Sequence, residues 1–208
     1  MNTYKTVIGN AVSQFTEKRS RFIGYVSHTE NDDEAVAFME NIRAQNSDAR
    51  HNVYAYVLKH ENRMRYSDDG EPHGTAGRPI LDIINGCELK DVTVVVTRYF
   101  GGILLGTGGL VRAYSKACKD VLETSEKCLI VPGNAFNIAC EYSDYAKLEK
   151  LLHDFDATID NVRFENNVSI DFSISQNNTD NFLLSLKEAF SSRISAEYIG
   201  ERYAKQKI

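Results

Sequence analysis

Apolar and polar residues alternate most cleanly toward the C-terminal end of the chain. Phe136, Ile138, Cys140 and Tyr142 alternate with Asn137, Ala139 and Glu141, the period of a half-buried strand. Ser143 stands where a helix cap is expected, ahead of Tyr145, Leu148, Leu152 and Phe155 at helical spacing. Residues 157–164 read as a second strand, Asn166-Asn167 as a turn, and Val168, Ile170, Phe172 and Ile174 as a third strand. Thr179 is placed to cap a second helix with the stripe Phe182, Leu183, Leu186 and Phe190, and residues 194–199 close the series as a strand. The order β-α-β-β-α-β predicts a ferredoxin-like domain, two amphipathic helices covering one face of a four-stranded sheet.

The first part of the chain is more mixed. Residues 20–28 and 51–58 read as strands, the second turning at Glu61-Asn62 into residues 63–66. Asp32 or Asp33 opens a helix with the stripe Ala35, Phe38, Met39 and Ile42. Pro79 suits a first helical turn, and Arg78 before a proline is steered away from helical conformation, so a helix is expected from about Pro79 to Gly86. Val92–Val96 is a continuous β-branched run, the mark of a strand buried on both faces. Leu110, Ala113, Tyr114, Ala117, Val121 and Leu122 form the stripe of a long helix. Val131-Pro132-Gly133-Asn134 interrupts regular structure, so the domains are expected at residues 1–131 and 134–208. The fold class is therefore α+β in two domains.

Composition adds limits. The net charge of −5 over 208 residues argues against a polybasic coat for nucleic acid. Residues 1–131 are nearly balanced at −1 and residues 132–208 carry −4, so a local basic patch fits only the first part. No apolar run approaches the ~18 residues of a membrane span, and no secretory signal follows Met1, which predicts a cytoplasmic protein with no membrane partner. Cys87, Cys118, Cys128 and Cys140 lack metal-binding spacing and read as reduced, mostly packed thiols.

Candidate chemistry lies in two glycine-rich loops, residues 68–79 and 98–110. Nine of the thirteen glycines fall between Gly70 and Gly109. The second loop fits neither phosphate-binding template. Thr107 stands where a P-loop needs lysine, and Val111 where a dinucleotide fingerprint needs its third glycine. What remains is a helix N-terminus flanked by arginines, a generic anion site. On that reading Arg78, Arg98 and Arg112 contact phosphates, the N–H groups of Gly101, Gly102, Gly106, Gly108 and Gly109 back them, and Tyr99 stacks on a base. The same residues also serve a structural reading, in which the glycines let a helix approach the sheet and the arginines close internal salt bridges. Asp68, Asp69 and Glu71 could hold magnesium, the only cofactor either reading admits, or simply favour a turn and a helix start. His51 and His73 have no nucleophile partner at recognisable spacing.

The strings Asp68-Asp69-Gly70-Glu71-Pro72-x-Gly74-Thr75-Ala76-Gly77-x-Pro79 and Arg98-Tyr99-Phe100-Gly101-Gly102-x-x-Leu105-Gly106-x-Gly108-Gly109-Leu110, with Ser20-Arg21-Phe22 and His51-Asn52-x-Tyr54-Ala55-Tyr56, resemble the YigZ/IMPACT family. The resemblance is dense over residues 15–125 and places the chain with the bacterial, two-domain members. It implies an N-terminal domain like the second domain of ribosomal protein S5 and a ferredoxin-like C-terminal domain like one in elongation factor G. Eukaryotic relatives regulate translation, a role tied to an additional N-terminal domain, so it is not expected here intact. The resemblance therefore implies a non-enzymatic, translation-linked protein that binds RNA or a ribonucleoprotein such as the ribosome. A magnesium-dependent enzyme for a phosphorylated or nucleotide substrate, and a protein-interaction adaptor, are the alternatives. Val53 and His73 depart from the family pattern, which counts against catalysis at either place.

Overall fold

The computed structural model describes residues 2–208. Along the chain run β1 (Tyr4–Val7), β2 (Asn10–Glu17), β3 (Ser20–His28), α1 (Asp32–Gln45), β4 (His51–Val57), β5 (Met64–Ser67), α2 (Gly77–Gly86), β6 (Val92–Tyr99) and α3 (Thr107–Thr124). They are followed by β7 (Lys127–Cys140), α4 (Tyr142–Asp154), β8 (Thr158–Phe164), β9 (Val168–Ser175), α5 (Gln176–Ala189) and β10 (Ala196–Lys207). Two compact units result, one of Lys5–Lys127 and one of Cys128–Ile208 with the residues up to Tyr4.

In the first unit every strand pair is antiparallel, in the order β2-β3-β6-β4-β5. The two-residue side-chain period decides which helix each face meets. Val92, Val94 and Val96 of β6, with Val53, Ala55 and Val57 of β4, face the main core, where Ile80 and Ile84 of α2 and Ala113, Tyr114, Ala117 and Val121 of α3 close over them. Tyr56 and Leu58 point the other way, onto Ala35 of α1. Strand β6 is thus buried on both faces, as its β-branched run predicts. Gly24 of β3 is required by the approach of α3, since a Cβ there would lie 2.8 Å from the Ala117 carbonyl oxygen and 3.1 Å from Val121.

The second unit has the strand order β10-β7-β9-β8, which in its own numbering is 4-1-3-2, the ferredoxin-like arrangement. Phe136, Ile138, Val168, Ile170, Phe172 and Ile174 meet Leu148 and Leu152 of α4 and Phe182 and Leu186 of α5.

Several local expectations need correction. Strand β7 runs unbroken through Pro132-Gly133, so the pair does not interrupt regular structure, and the compact units divide at Lys127/Cys128. Pro132 stands just before the stretch paired to β9, which begins at Gly133. A Cβ on Gly133 would sit 2.7 Å from that of Ala204 and 2.8 Å from the Ile174 carbonyl oxygen, so glycine is there for close strand approach rather than for a break. Helix α4 starts at Tyr142 and is preceded by Glu141, not capped by Ser143. Thr179 lies inside α5 and donates its hydroxyl to the Ser175 carbonyl at 3.2 Å. Helix α2 begins at Gly77, two residues before Pro79, and includes Arg78; the proline still falls in the first turn, where its missing N–H costs nothing.

Candidate functional site

Arg98 and Tyr99 are neighbours on β6 and therefore point to opposite faces. Arg98 continues the inward series Val92, Val94, Val96 and ends in the main core. Its side chain is only 6% exposed, and its Nη1 donates to Glu71 Oε1 at 2.7 Å. Tyr114 of α3 donates its hydroxyl to the same oxygen at 2.8 Å. Burial, and then the Glu71 carboxylate, push the Tyr114 phenol far above its ordinary range, so it remains a donor. Phe22 and Phe100 lie 5.6 Å and 5.5 Å from the Arg98 guanidinium carbon. The arginine Nε is buried without a hydrogen-bond partner. On the other face Tyr99 donates to Asn46 and Asp48 at 3.1 Å and 2.9 Å, with Arg21 over its ring at 4.4 Å. Tyr99 is therefore engaged at the end of α1 and does not join Arg98 in one surface.

The first glycine loop is organised by its carboxylates, each toward a different partner. Asp68 accepts from the N–H groups of Gly74, Ala76 and Gly77 at 2.8, 3.1 and 2.8 Å, capping α2 from outside the helix. Asp69 accepts from the Asn52 N–H at 2.6 Å and from Arg43 at 3.1 Å. Glu71 turns inward to Arg98 and Tyr114. Among the described residues no three metal-ligating side chains converge, so these three carboxylates do not form the magnesium set considered for them. The Ala76 and Gly77 amides at the start of α2 are likewise taken by Asp68 and not offered to an external anion. Asp68→Ala leaves three amides without their acceptor at once and is expected to lower stability by about 1–2 kcal/mol, the upper range for a lost helix cap. Accelerated hydrogen exchange of the first α2 amides would report it, and unchanged exchange there would show that Asp68 does not cap.

Arg78 is exposed on α2 and donates through Nε to Asp82 at 2.8 Å. Arg112 is exposed on α3. The three arginines therefore lie in three settings rather than around one anion. Gly101 donates its N–H to Ser20 Oγ at 3.2 Å, which takes that amide out of the proposed ring. Gly102 and Gly106 turn the chain with φ of 82° and 71°. Gly106 precedes α3 and brings no side chain to cap it, and Thr107 and Gly108 at the start of the helix are exposed. This end of α3 remains open.

Two concavities flank it. One, of about 400 Å³, has the apolar walls Pro72, Phe100, Leu104, Leu105 and Leu110, and the polar groups Arg50, His51, Glu71, Arg98, Gly106 and Thr107. His51 faces Arg98 across the β4–β6 ladder; its Nδ1 is 2.8 Å from the Asp69 carbonyl oxygen, and its Nε2 is 4.0 Å from Glu71 Oε1. His73 is almost fully exposed beside Asp68. The other concavity, of about 230 Å³, is lined by Lys18, Arg112 and Lys116 with Phe15, Glu17, Leu105, Gly109 and Ala113. Leu105 belongs to both.

Arg50, Lys18, Lys116, Leu104 and Tyr114 were not among the candidates drawn from the sequence. The parity of β6 is the signal that could have placed Arg98 inside. No comparable local pattern announces Lys18 or Lys116, which come from a hairpin turn and a helix flank distant in sequence. The cysteines lie outside both concavities: Cys87 is exposed, and Cys118, Cys128 and Cys140 are buried and free. Burial raises the Cys118 thiol well above its usual value, which keeps it unreactive. No helix among the described residues is long and apolar enough to cross a membrane.

A family model described as the Impact N-terminal domain matches residues 18–122, and one described as a domain of unknown function (DUF1949) matches residues 138–193. An IMPACT family member of Haemophilus influenzae is 37% identical over 180 residues, covering 85% of this chain and 87% of its own length. The IMPACT family member YigZ of Escherichia coli is 40% identical over 151 residues, covering 71% and 74%. A crystal structure described as that of an hypothetical protein aligns with a TM-score of 0.61 at 33% identity, over 96% of this chain and 98% of its own. With dense motifs in the first unit, a ferredoxin-like second unit and relatives matched over most of their length, the chain belongs to the IMPACT family.

Proposed function

We propose that this protein is a translation-linked regulator that binds RNA, free or within a ribonucleoprotein, through the start of α3 and the basic concavity beside it. The observation that carries the reading is the grouping of Lys18, Arg112 and Lys116 around Gly109 at an uncapped helix N-terminus, within an otherwise acidic chain. Three cations on one rim and the positive end of a helix suit successive phosphates. Phe15 lies beneath Lys116 at 4.9 Å and gives the groove an aromatic floor. The translational part of the reading is carried over from the resemblance to the family's eukaryotic members rather than from the groove. Of the three arginines, Arg112 keeps the phosphate role; Arg98 is buried against Glu71, and Arg78 does not line the groove. Lys116 also donates to Asp120 at 2.6 Å, an exposed pair that a phosphate would displace.

Binding of a short single-stranded RNA should weaken roughly ten- to twentyfold between 50 and 200 mM salt if about three phosphates are neutralised. Arg112→Ala should weaken binding at low salt and flatten that salt slope by about one third. Fluorescence anisotropy across a salt series measures both. A salt-independent affinity, or a variant with the parental slope, would contradict the groove. Absence of RNA binding would instead favour the adaptor reading.

A further inference from the structure

The apolar concavity next to the basic one is built unlike a plain packing defect. Leu104 at its mouth is 83% exposed and Phe100 is 48% exposed, so two large apolar groups are held toward solvent at the same opening. Below them lies a buried guanidinium with one donor, Arg98 Nε, lacking an acceptor. Buried donors without partners are rare enough that each asks for its missing partner. The only carboxylate on the wall, Glu71, already accepts from Arg98 and Tyr114 through one oxygen. With Arg50 and the open start of α3 added, the wall has more donors than acceptors. Its complement is an acceptor-bearing planar ring attached to an anion.

We propose that this cavity takes a single nucleotide with a keto base. The base enters between Phe100 and the leucines. Phe100 turns off the guanidinium, and a base carbonyl accepts from Arg98 Nε. The phosphate lies at the start of α3 near Arg50. Guanine and uracil present carbonyl oxygens at the ring edge, whereas adenine's N1 and N7 acceptors stand beside an amino donor that a donor-rich wall disfavours. Bases stack on both aromatic rings and arginine planes, and the cavity volume is in the range of small-ligand sites. The nucleotide has two sources: a free mononucleotide, or one residue splayed from a single strand whose neighbours lie on Lys18, Arg112 and Lys116. The second source rests on the RNA-binding reading above; the first does not.

The test uses the full chain and calorimetric titration with GMP, UMP, AMP and ribose 5-phosphate, then an oligouridine and the same strand with abasic sites. GMP and UMP should bind at least about fivefold more tightly than AMP, the cost of setting an amino donor against buried donors instead of a carbonyl. Ribose 5-phosphate should bind more weakly than any of them. Leu104→Asp changes a solvent-exposed rim residue, so it should leave the melting curve unchanged while reducing GMP and UMP binding at least tenfold. Phe100→Ala should preserve the preference for keto bases, since it uncovers the donor. Loss of affinity with abasic strands assigns the splayed source; binding of mononucleotides without RNA assigns the free source and removes the RNA reading alone. RNA binding that is indifferent to abasic sites and to Leu104→Asp overturns the cavity proposal and leaves the groove intact. AMP equal to GMP, or no binding by any ligand, also overturns it.

Discussion

Glu71→Ala should cost the first unit about 3–5 kcal/mol, because it leaves the Arg98 charge buried with no counter-ion. The carboxylate does two things at once, accepting from Arg98 at 2.7 Å and from Tyr114 at 2.8 Å. Its loss would strand both donors beneath α3. Glu71→Gln keeps an acceptor but removes the charge, and should fall between the parent and the alanine variant. The decisive comparison is the double replacement Glu71→Leu with Arg98→Met. If the pair matters mainly because half of it cannot be left alone, the double variant should recover the stability lost by Glu71→Ala, less about 1–3 kcal/mol for the Tyr114 hydroxyl still without an acceptor. Hydrogen exchange of the β6 amides reports this unit alone, which suits a chain of two compact units better than a single denaturation midpoint. A Glu71→Ala protein with parental exchange in β6 would mean that the ion pair is not the closed contact described.

The same residues show which parts of the molecule could be read from the chain. Elements with a strict period are legible in kind and order: β6, the strands and helices of the second unit, and the apolar stripe of α3, although β7 begins at Lys127 and β10 runs on to Lys207, well beyond the alternation that marks them. Strands β1 and β2 carry no such signal. In β2 only Ala11, Ser13 and Phe15 turn inward while Val12 is exposed, so small, polar and apolar positions do not separate into faces. The functional loops were legible as loops, but their partners were not. Arginine beside glycine suggests an anion site, yet the parity of β6 puts Arg98 on the core side and Tyr99 on the opposite one. Acidic residues in the first loop looked like one cluster, yet Asp68, Asp69 and Glu71 reach an amide row, a strand edge and a buried guanidinium. The groove of Lys18, Arg112 and Lys116 depends on β2 and α3 coming together, a tertiary fact with no local spacing to announce it.

The glycines of the second loop test this distinction directly, since their spacing is alike and their surroundings are not. Gly101→Ala should be the most damaging, by about 3 kcal/mol, at the upper end of ordinary overpacking. A Cβ at Gly101 would fall inside the Arg19 carbonyl group, which is backbone and cannot rotate away as a side chain could. Nor can the hairpin easily retreat. Lys18 and Arg19 form its two-residue turn with φ of 44° and 66°, and the Glu17–Ser20 and Arg21–Tyr99 pairings hold both sides in register. Relief would have to open the end of β3 from β6, just where Arg98 and Phe22 close the core. Gly102→Ala meets open space but must keep φ near 82°, so only the left-handed penalty of about 1–2 kcal/mol applies. Gly108 lies in the first turn of α3, with Arg112 Nη1 at 3.6 Å as the nearest group to an added methyl. Alanine there should be neutral or stabilising by up to about 1 kcal/mol, because the unfolded chain loses freedom and the helix loses nothing. Exchange rates of the β3 and β6 amides in the three variants give the ranking. A Gly101→Ala protein as stable as Gly108→Ala would show that the hairpin turn does not press on the loop, and that Gly101 is there for another reason.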